Sequence, residues 1–180
     1  MLDRDGVINE DSEDYIKSPD EWIPIKGSID AIARLTHNDY GVVVATNQSG
    51  LARGYLNEYD LAKIHSKCCG MVEEAGGVIS AIFYCPHLPS ADCSCRKPKT
   101  GLLKQTESEL GVSLTDSFLI GDSMKDLEAA LAFGMKPVLV RTGSGSKTEL
   151  NLDDKLHSSI AVFDDLDSAT NWILASNTNR

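Results

Sequence analysis

The sequence has no apolar run near the ~20 residues that a membrane-spanning helix needs, and its start does not resemble a secretory signal peptide. Basic residues are also scarce, since 17 Lys and Arg stand against 27 Asp and Glu, for a net charge of −10. A surface of that charge repels a phosphate backbone. These absences predict a cytoplasmic protein that binds neither membranes nor nucleic acid.

Disulfides and extra domains are not expected either. Five cysteines are an odd count, and without secretory features they indicate reduced thiols or a bound metal. The chain lacks internal repeats, low-complexity tracts and linkers, and its 180 residues are 42% hydrophobic and 24% charged, which suits one domain with a sizeable core. We therefore predict a single domain over residues 1–175 and a frayed tail over 176–180.

Short apolar runs alternate with amphipathic stretches of helical length. The run 41–45 is typical of a strand buried on both faces of a parallel sheet. Asn57 with Asp60 predicts the start of a helix, and Gly134 predicts the end of another. The segment 142–148 follows a predicted strand but lacks the residue spacing of a phosphate-binding loop, so it is predicted to be a Gly/Ser connector. Further strands are predicted at 78–84, 117–120, 137–140 and 160–163, and helices at 28–37, 57–75, 101–110, 124–133 and 165–175. This alternation indicates a Rossmann-like open parallel α/β sheet with helices on both faces.

Two aspartates near the start of the chain carry a possible chemistry. Asp3 and Asp5 are two residues apart, so in an extended segment both face one side and favour a hard cation such as Mg²⁺. One carboxylate can attack phosphorus, while the other protonates the leaving oxygen and later deprotonates water. The alternative is a pair of solvated turn aspartates.

Further polar residues lie where a phosphoryl-transfer site would need them. Thr46 ends a buried strand, Lys97 lies in a polar loop, and Asp122 closes another strand, with Asp126 four residues on. Ligands of such sheets bind beyond the carboxyl ends of the strands. Together with residues 3–9, these positions resemble, in the expected order, the four signatures of the haloacid dehalogenase superfamily of phosphatases.

Residues 85–95 hold three thiols and one imidazole, at Cys85, His87, Cys93 and Cys95. Four such ligands close a tetrahedral Zn²⁺ site and leave no open position, which predicts a structural metal rather than incidental thiols. Arg96 and Lys97 follow directly, so a metal here would hold two cations over the phosphate.

The zinc loop joined to these signatures resembles the D-glycero-D-manno-heptose 1,7-bisphosphate phosphatases of bacterial heptose and lipopolysaccharide precursor synthesis. The resemblance covers most of the chain, and its most specific pieces are residues 2–9, 46–54, 85–87 and 93–98. It implies an Mg²⁺-dependent phosphatase that removes the 7-phosphate of this small sugar bisphosphate through a phospho-aspartate.

The resemblance also implies a role for individual positions. Asp3 would be the nucleophile, Asp5 the general acid and base, and Thr46 and Lys97 would stabilise the phosphoryl group. Mg²⁺ would be held by Asp3, Asp5 (through its carbonyl) and Asp122, with Asp126 in support. The positions implied to contact substrate are Asp11, Tyr15, Asn47, Gln48, Ser49, Arg53 and Arg96.

Three features depart from the family pattern. Ser123 stands where the family often has a substrate-binding lysine, and the segment 10–15 is one residue longer. The loop 87–93 is short, as in histidinol-phosphate phosphatases, which share the zinc site and are the closest alternative. A catalytically inactive, zinc-stabilised binding module is the alternative from another class.

The start of the chain and the spacing of the motifs bear on the architecture. The family places Asp3 at the end of a central buried strand, yet only Met1 and Leu2 precede it, so we expect a truncated strand and a gap in the core. The intervals 5–46 and 46–97 are used by helix, strand and zinc loop, so no separate cap domain is expected. A small open phosphatase needs no partner, which predicts a monomer.

Overall fold

The structure, a computed structural model, describes residues 1–177. Within that range the chain forms five strands and seven α-helices. The strands are β1 (Val43–Asn47), β2 (Ala81–Cys85), β3 (Phe118–Gly121), β4 (Lys136–Val140) and β5 (Ala161–Phe163). The helices are α1 (Ser28–His37), α2 (Glu58–Glu74), α3 (Gly101–Leu110), α4 (Met124–Phe133), α5 (Gly145–Leu150), α6 (Asp154–Ser159) and α7 (Leu166–Asn177).

The strands pair in parallel, and the first residues of the chain join them into one sheet. β1 pairs with β2, and β4 pairs with β3 and β5. Leu2 bridges Val44 on one side and Ile120 on the other, both in parallel register. The order is therefore β2, β1, residues 1–3, β3, β4, β5, which confirms the predicted parallel α/β sheet.

The centre of the sheet is held by a very short segment. The Leu2 amide donates to the Val43 carbonyl at 2.8 Å, and the Asp3 amide donates to the Ile120 carbonyl at 2.9 Å. A cavity of about 650 Å³ lies at the N-terminal side of this segment, lined in part by Met1, Leu2, Val42, Phe118 and Ile173.

Helices cover both faces of the sheet, as the alternating strand residues require. Val44 and Ile120 belong to the apolar cluster that includes α1, α2 and α7, whereas Val43 and Leu119 belong to the one that includes α3 and α4. Because consecutive strand side chains point to opposite faces, continuous apolar runs such as 42–45 fill both layers. Over residues 1–177, no helix is long and apolar enough to cross a membrane.

Local signals in the sequence account for most helix ends. Asn57 and Asp60 form the capping box of α2, and Gly134 ends α4 in the left-handed conformation, which confirms both predictions. β2 begins at Ala81 rather than at residue 78. The structure corrects the predicted connector 142–148, because its second half belongs to α5, and α6 was not predicted. α7 runs through Asn177, into the predicted tail, and residues 178–180 lie outside the described range.

Candidate active site

The carboxyl edge of the sheet gathers the residues that the sequence singled out. Asp3 ends the central segment, Thr46 lies near the end of β1, and Asp122 follows β3 directly. Lys97 reaches the same edge from the loop between β2 and α3. Parallel strands end at one edge, so polar residues after separate strands meet there although they are far apart in the chain.

Lys97 is the buried cation of this edge. Its side chain is only 2% exposed, and Nζ lies 3.0 Å from Asp3 Oδ2 and 2.6 Å from Asp126 Oδ1. Nζ also donates to the Ala45 carbonyl at 2.6 Å. Burial by itself lowers the pKa of Lys97, but the negative charges of Asp126 and Asp3 outweigh it and raise the pKa above its ordinary value. Lys97 is therefore charged at neutral pH.

The carboxylates around Lys97 suit a divalent cation. Asp3, Asp122 and Asp126 can each direct one oxygen so that all three atoms lie within 4.8 Å of one another. Burial raises the pKa of Asp3 and of Asp122 to about 7, and neighbouring carboxylates add to the effect. The single positive charge of Lys97 does not neutralise three buried carboxylates. Because all three donors are oxygens, which favour a hard cation, the residues fit Mg²⁺.

Asp126 supports this cluster from the first turn of α4. Its Oδ2 accepts hydrogen bonds from the Ser123 amide at 3.1 Å and from Ser123 Oγ at 2.6 Å. The bond from the Ser123 amide is one of the two that make up the capping box of α4. Ser123, at the position where the family often has lysine, therefore caps a helix and orients Asp126.

The segment 142–148, predicted to be a connector, holds Asp122 in place. The Ser144 amide donates to Asp122 Oδ2 at 2.7 Å, and Thr142 Oγ1 donates to the Gly6 carbonyl at 2.7 Å. A Cβ on Gly6 or Gly143, both at positive φ, would lie 2.2 or 2.3 Å from Asp122 Oδ2. Only glycine leaves room for the carboxylate there. The signal in the sequence was the position of this polar segment directly after a buried strand.

Asp5 lies outside the carboxylate cluster. Asn9 Nδ2 donates to its Oδ1 at 2.9 Å, Gln48 Nε2 donates to its Oδ2 at 2.8 Å, and Arg4 contacts both oxygens. Burial works to raise the pKa of Asp5, but the charge of Arg4 and these hydrogen bonds outweigh it and hold the pKa below its ordinary value. The surroundings of Asp3 and Asp5 therefore shift the two pKa values in opposite directions, although the residues are only two positions apart in the sequence.

The residues after β1 connect Asp5 to Lys97. Gln48 Nε2 contacts Thr46 Oγ1 at 3.0 Å as well as Asp5. The Asn47 side chain donates to the Lys97 carbonyl at 3.1 Å and accepts from the Lys97 amide at 3.0 Å. The Asn47 amide, predicted to contact substrate, therefore clamps the Lys97 backbone in this structure.

The other positions predicted to contact substrate differ in their exposure. Asp11 and Arg53 are exposed and Ser49 is buried. The Tyr15 ring lies 5.1 Å from the Tyr55 ring and 6.0 Å from Arg53 Cζ. Tyr15 adopts a positive φ of 66°, an unusual conformation for a bulky residue, in the segment that was predicted to be one residue longer.

The predicted zinc ligands come together in the loop after β2. One donor atom from each of Cys85, His87, Cys93 and Cys95 lies within 4.8 Å of the others. The sulfur–sulfur distances are 3.1 to 3.6 Å, and His87 Nδ1 lies 3.3 Å from Cys95 Sγ. A tetrahedral site with Zn–S bonds of ~2.3 Å separates its sulfurs by about 3.8 Å, whereas a disulfide needs about 2.05 Å. The spacing fits a closed structural Zn²⁺ site.

Among the three thiols of this loop, only Cys93 has a lowered pKa, whereas burial raises the pKa of Cys85 to about 12 and also raises that of Cys95. Burial raises the pKa of the Cys93 thiol, but the backbone N–H of Arg96 and the neighbouring thiols outweigh it and bring the pKa to about 6. A thiolate is the form that binds metal. The Arg96 guanidinium donates to the His87 carbonyl at 3.2 Å, so the loop that holds the ligands also holds the residue next to Lys97.

Removing zinc is expected to lower activity through Lys97. A zinc-selective chelator, followed by saturating Mg²⁺, should reduce kcat by about 10- to 100-fold and increase hydrogen exchange over residues 86–99, because the loop then loses its fixed shape. Cys93→Ser should do the same, whereas Cys69→Ser changes a thiol outside the cluster and should not. Unchanged kcat and exchange in the zinc-free protein would contradict this coupling.

Comparison with known proteins identifies relatives over nearly the whole chain. Residues 94–169 match the HAD-hydrolase-like family model. A D-glycero-beta-D-manno-heptose-1,7-bisphosphate 7-phosphatase from Pseudomonas aeruginosa is 50% identical over 97% of this chain and 96% of its own length. One of the same name from Neisseria meningitidis serogroup B is 45% identical over 99% of this chain and 95% of its own length.

Solved structures agree with these relatives. The D,D-heptose 1,7-bisphosphate phosphatase from B. bronchiseptica, complexed with magnesium and phosphate, has a TM-score of 0.91 and 45% identity, with 97% of both chains covered. The enzyme of that name from Burkholderia thailandensis has a TM-score of 0.73 and 38% identity, with 96% of both chains covered. The likeness therefore extends over the fold and the sequence together.

Proposed function

The chain belongs to the D-glycero-beta-D-manno-heptose-1,7-bisphosphate 7-phosphatase family of haloacid dehalogenase-like hydrolases, and on that premise we propose that it removes the 7-phosphate of the β-anomer. The observation that carries the proposal is the gathering of Asp3, Asp122 and Asp126 around the buried Lys97. That arrangement joins a carboxylate nucleophile to the positive charge that phosphoryl transfer requires.

In the first step, an Asp3 carboxylate oxygen attacks the phosphorus and the bond to the sugar oxygen breaks. Asp5 supplies the proton that the leaving oxygen takes up, so the products are phospho-Asp3 and the sugar alcohol. Lys97, with Thr46, stabilises the negative charge on the phosphoryl oxygens. When bound, Mg²⁺ at Asp3, Asp122 and the Asp5 carbonyl supplies further positive charge at those oxygens.

In the second step, water attacks the phosphorus of phospho-Asp3. Asp5 takes the proton from this water, the bond between phosphorus and the Asp3 oxygen breaks, and phosphate leaves. Asp5 thereby regains the proton that it gives up in the first step, so each turnover begins from its protonated form, which the lowered pKa of Asp5 makes a minor population of the free protein. Asp126 and Ser144 act by holding Lys97 and Asp122 in position.

Two arginines that are predicted to contact substrate support a bisphosphate as substrate. Arg53 and Arg96 have no carboxylate partner among the ion pairs of residues 1–177. A second phosphate gives such cations something to bind. Relatives at 45 to 51% identity carry the heptose name, which favours this substrate over histidinol phosphate. The monomeric state and the cytoplasmic location stay predictions.

The test is phosphate release with Mg²⁺ and Zn²⁺ present from both anomers of heptose 1,7-bisphosphate and from histidinol phosphate. We expect kcat/KM for the β-anomer to exceed that for histidinol phosphate by at least about 100-fold, because the amine-bearing monophosphate offers no second phosphate to Arg53 and Arg96. A preference for histidinol phosphate would move the chain to the alternative activity with the same catalytic residues. No phosphate release from any of the three, or from an aryl phosphate, would favour the binding module.

A further inference from the structure

Arg4 lies between the two aspartates of the first motif, and the mechanism above gives it no role. Its side chain is 1% exposed, in spite of its length and charge. A guanidinium stays charged even when buried, and a buried charge without a partner costs several kcal/mol. Its partners therefore indicate what it does.

Arg4 grips Asp5 with two parallel hydrogen bonds. Its Nε donates to Asp5 Oδ1 and its Nη2 donates to Asp5 Oδ2, each at 3.0 Å. A single bond fixes only a distance, whereas this fork also fixes the plane of the carboxylate. Asn9 and Gln48 hold the same two oxygens from other directions, and the Asp5 side chain keeps only 22% exposure.

The far side of Arg4 is held in turn by α2. Arg4 Nη1 lies 3.2 Å from His65 Nε2. A guanidinium can only donate, so Nε2 of His65 is the acceptor and the ring is neutral, with its proton on Nδ1. Burial lowers the pKa of His65 to about 4, with the charge of Arg4 adding to it, in agreement with a neutral ring. The His65 ring itself packs 5.9 Å from the Tyr84 ring of β2.

We infer that Arg4, held by His65, is a positioning residue that orients the Asp5 carboxylate toward the leaving-group oxygen. The inference rests on the proposed function, because it concerns the step in which Asp5 supplies a proton. Without the fork, only single hydrogen bonds from Asn9 and Gln48 hold the Asp5 carboxylate, and they fix its plane less well. Proton transfer needs a heavy-atom separation of about 2.6–3.2 Å. Arg4 itself touches neither phosphorus nor the leaving group in this mechanism.

Two substrates whose leaving groups differ in their need for a proton distinguish this positioning role from a structural one. A sugar alkoxide needs a proton as it leaves, whereas p-nitrophenolate leaves readily without one. In Arg4→Met, kcat/KM for heptose 1,7-bisphosphate should fall about 100-fold, within the range of general acid catalysis, while kcat/KM for p-nitrophenyl phosphate stays within about threefold. Arg4→Lys should behave like Arg4→Met, because an ammonium cannot form the fork. Asp5→Asn should give the same pattern with a larger loss.

Other variants keep the test usable if the buried Arg4 variants do not fold. His65→Leu removes the hydrogen-bond acceptor on the far side of Arg4. It should lower kcat/KM for heptose 1,7-bisphosphate about 5- to 10-fold without lowering kcat/KM for p-nitrophenyl phosphate. His65→Gln offers an amide oxygen as acceptor and should recover most of that loss. Arg34→Met is the matched control for arginine removal, since Arg34 pairs with Asp167 on α7. Arg34→Met should leave the ratio of kcat/KM for heptose 1,7-bisphosphate to kcat/KM for p-nitrophenyl phosphate unchanged.

The outcomes are distinct. Equal losses for both substrates in the Arg4 and His65 variants would show a merely structural role and overturn the inference. Wild-type kcat/KM values for both substrates in these variants would also overturn it. Full rescue by Arg4→Lys would do so too, since charge alone would then suffice. A wild-type chain that hydrolyses neither substrate overturns the proposed function and the inference with it. A wild-type chain that is active, with selective loss of the sugar rate in the variants, supports both.

Discussion

Asp3→Asn is expected to reduce kcat by roughly 10⁴-fold or more, because the amide cannot attack phosphorus and no phospho-enzyme forms. Asp3 is the nucleophile of the proposed mechanism, and its carboxylate lies 3.0 Å from the Lys97 ammonium. Phosphate release with Mg²⁺ and Zn²⁺ present measures the rate. Acid quenching with labelled substrate measures the phospho-enzyme, which should be absent from the variant.

Two controls show whether the loss of activity in Asp3→Asn comes from misfolding. The variant should keep a cooperative thermal unfolding transition, since the amide is nearly the same size as the carboxylate. Asp20→Asn, which changes an exposed aspartate, should retain the wild-type rate and the acid-stable label. Residual turnover within about tenfold of wild type, or labelled protein in the variant, would exclude Asp3 as the nucleophile.

Lys97→Met is expected to destabilise the fold and to slow the reaction. At pH 7.5 and without added Mg²⁺, we expect the free energy of unfolding to fall by about 3–5 kcal/mol, because Asp3 and Asp126 lose their buried cation. We expect kcat to fall about 10²- to 10³-fold, since the cation at the phosphoryl oxygens is lost as well. Urea unfolding and phosphate release measure the two effects.

The loss of stability should depend on pH in a defined direction. The pKa of Asp3 is already raised to about 7, with burial the largest cause, and removing Lys97 raises it further. A buried acid with a raised pKa binds a proton more tightly in the folded state, so lowering the pH toward 5 should restore part of the stability. A loss that is equal at pH 5 and pH 7.5 would show that the lysine stem, rather than its charge, stabilises this edge.

Neighbouring lysine variants provide the controls for Lys97. Lys99→Met removes a lysine two positions away that pairs with the exposed Asp92, so it should change stability by less than about 1 kcal/mol and leave kcat near wild type. Lys97→Arg keeps the charge but brings a larger, planar group into a site that is 2% exposed, so only part of kcat should return. A Lys97→Met variant as stable and as fast as Lys99→Met would refute both expectations.

The zinc ligands and the sheet were predictable because each depends on residues close together in the chain. Cys85 and His87 are separated by one residue, as are Cys93 and Cys95, so the backbone can close them on one metal. The apolar run that became β1 has no polar position to face solvent, which is typical of a strand covered on both sides. Asn57 and Gly134 mark helix ends through bonds within their own turns.

The two short helices α5 and α6 were not predictable in the same way. Each has six residues, too few for a helix that is stable by itself. α5 is held by tertiary contacts, since Thr148 Oγ1 donates to the Asp122 carbonyl at 2.8 Å and Ser144, just before it, binds the Asp122 carboxylate. A Gly- and Ser-rich sequence carries no periodic signal for such contacts.

The sequence by itself determined which chemical groups this protein has: a pair of aspartates, a lysine beside a zinc loop, and an aspartate after a buried strand. Only the tertiary structure decided which of them meet. Lys97 pairs with Asp3 and Asp126, while Arg4 turns to Asp5 although it adjoins both aspartates of the motif. The reason is that buried charges select partners by distance and burial in the folded chain, and neither quantity can be read from residue spacing.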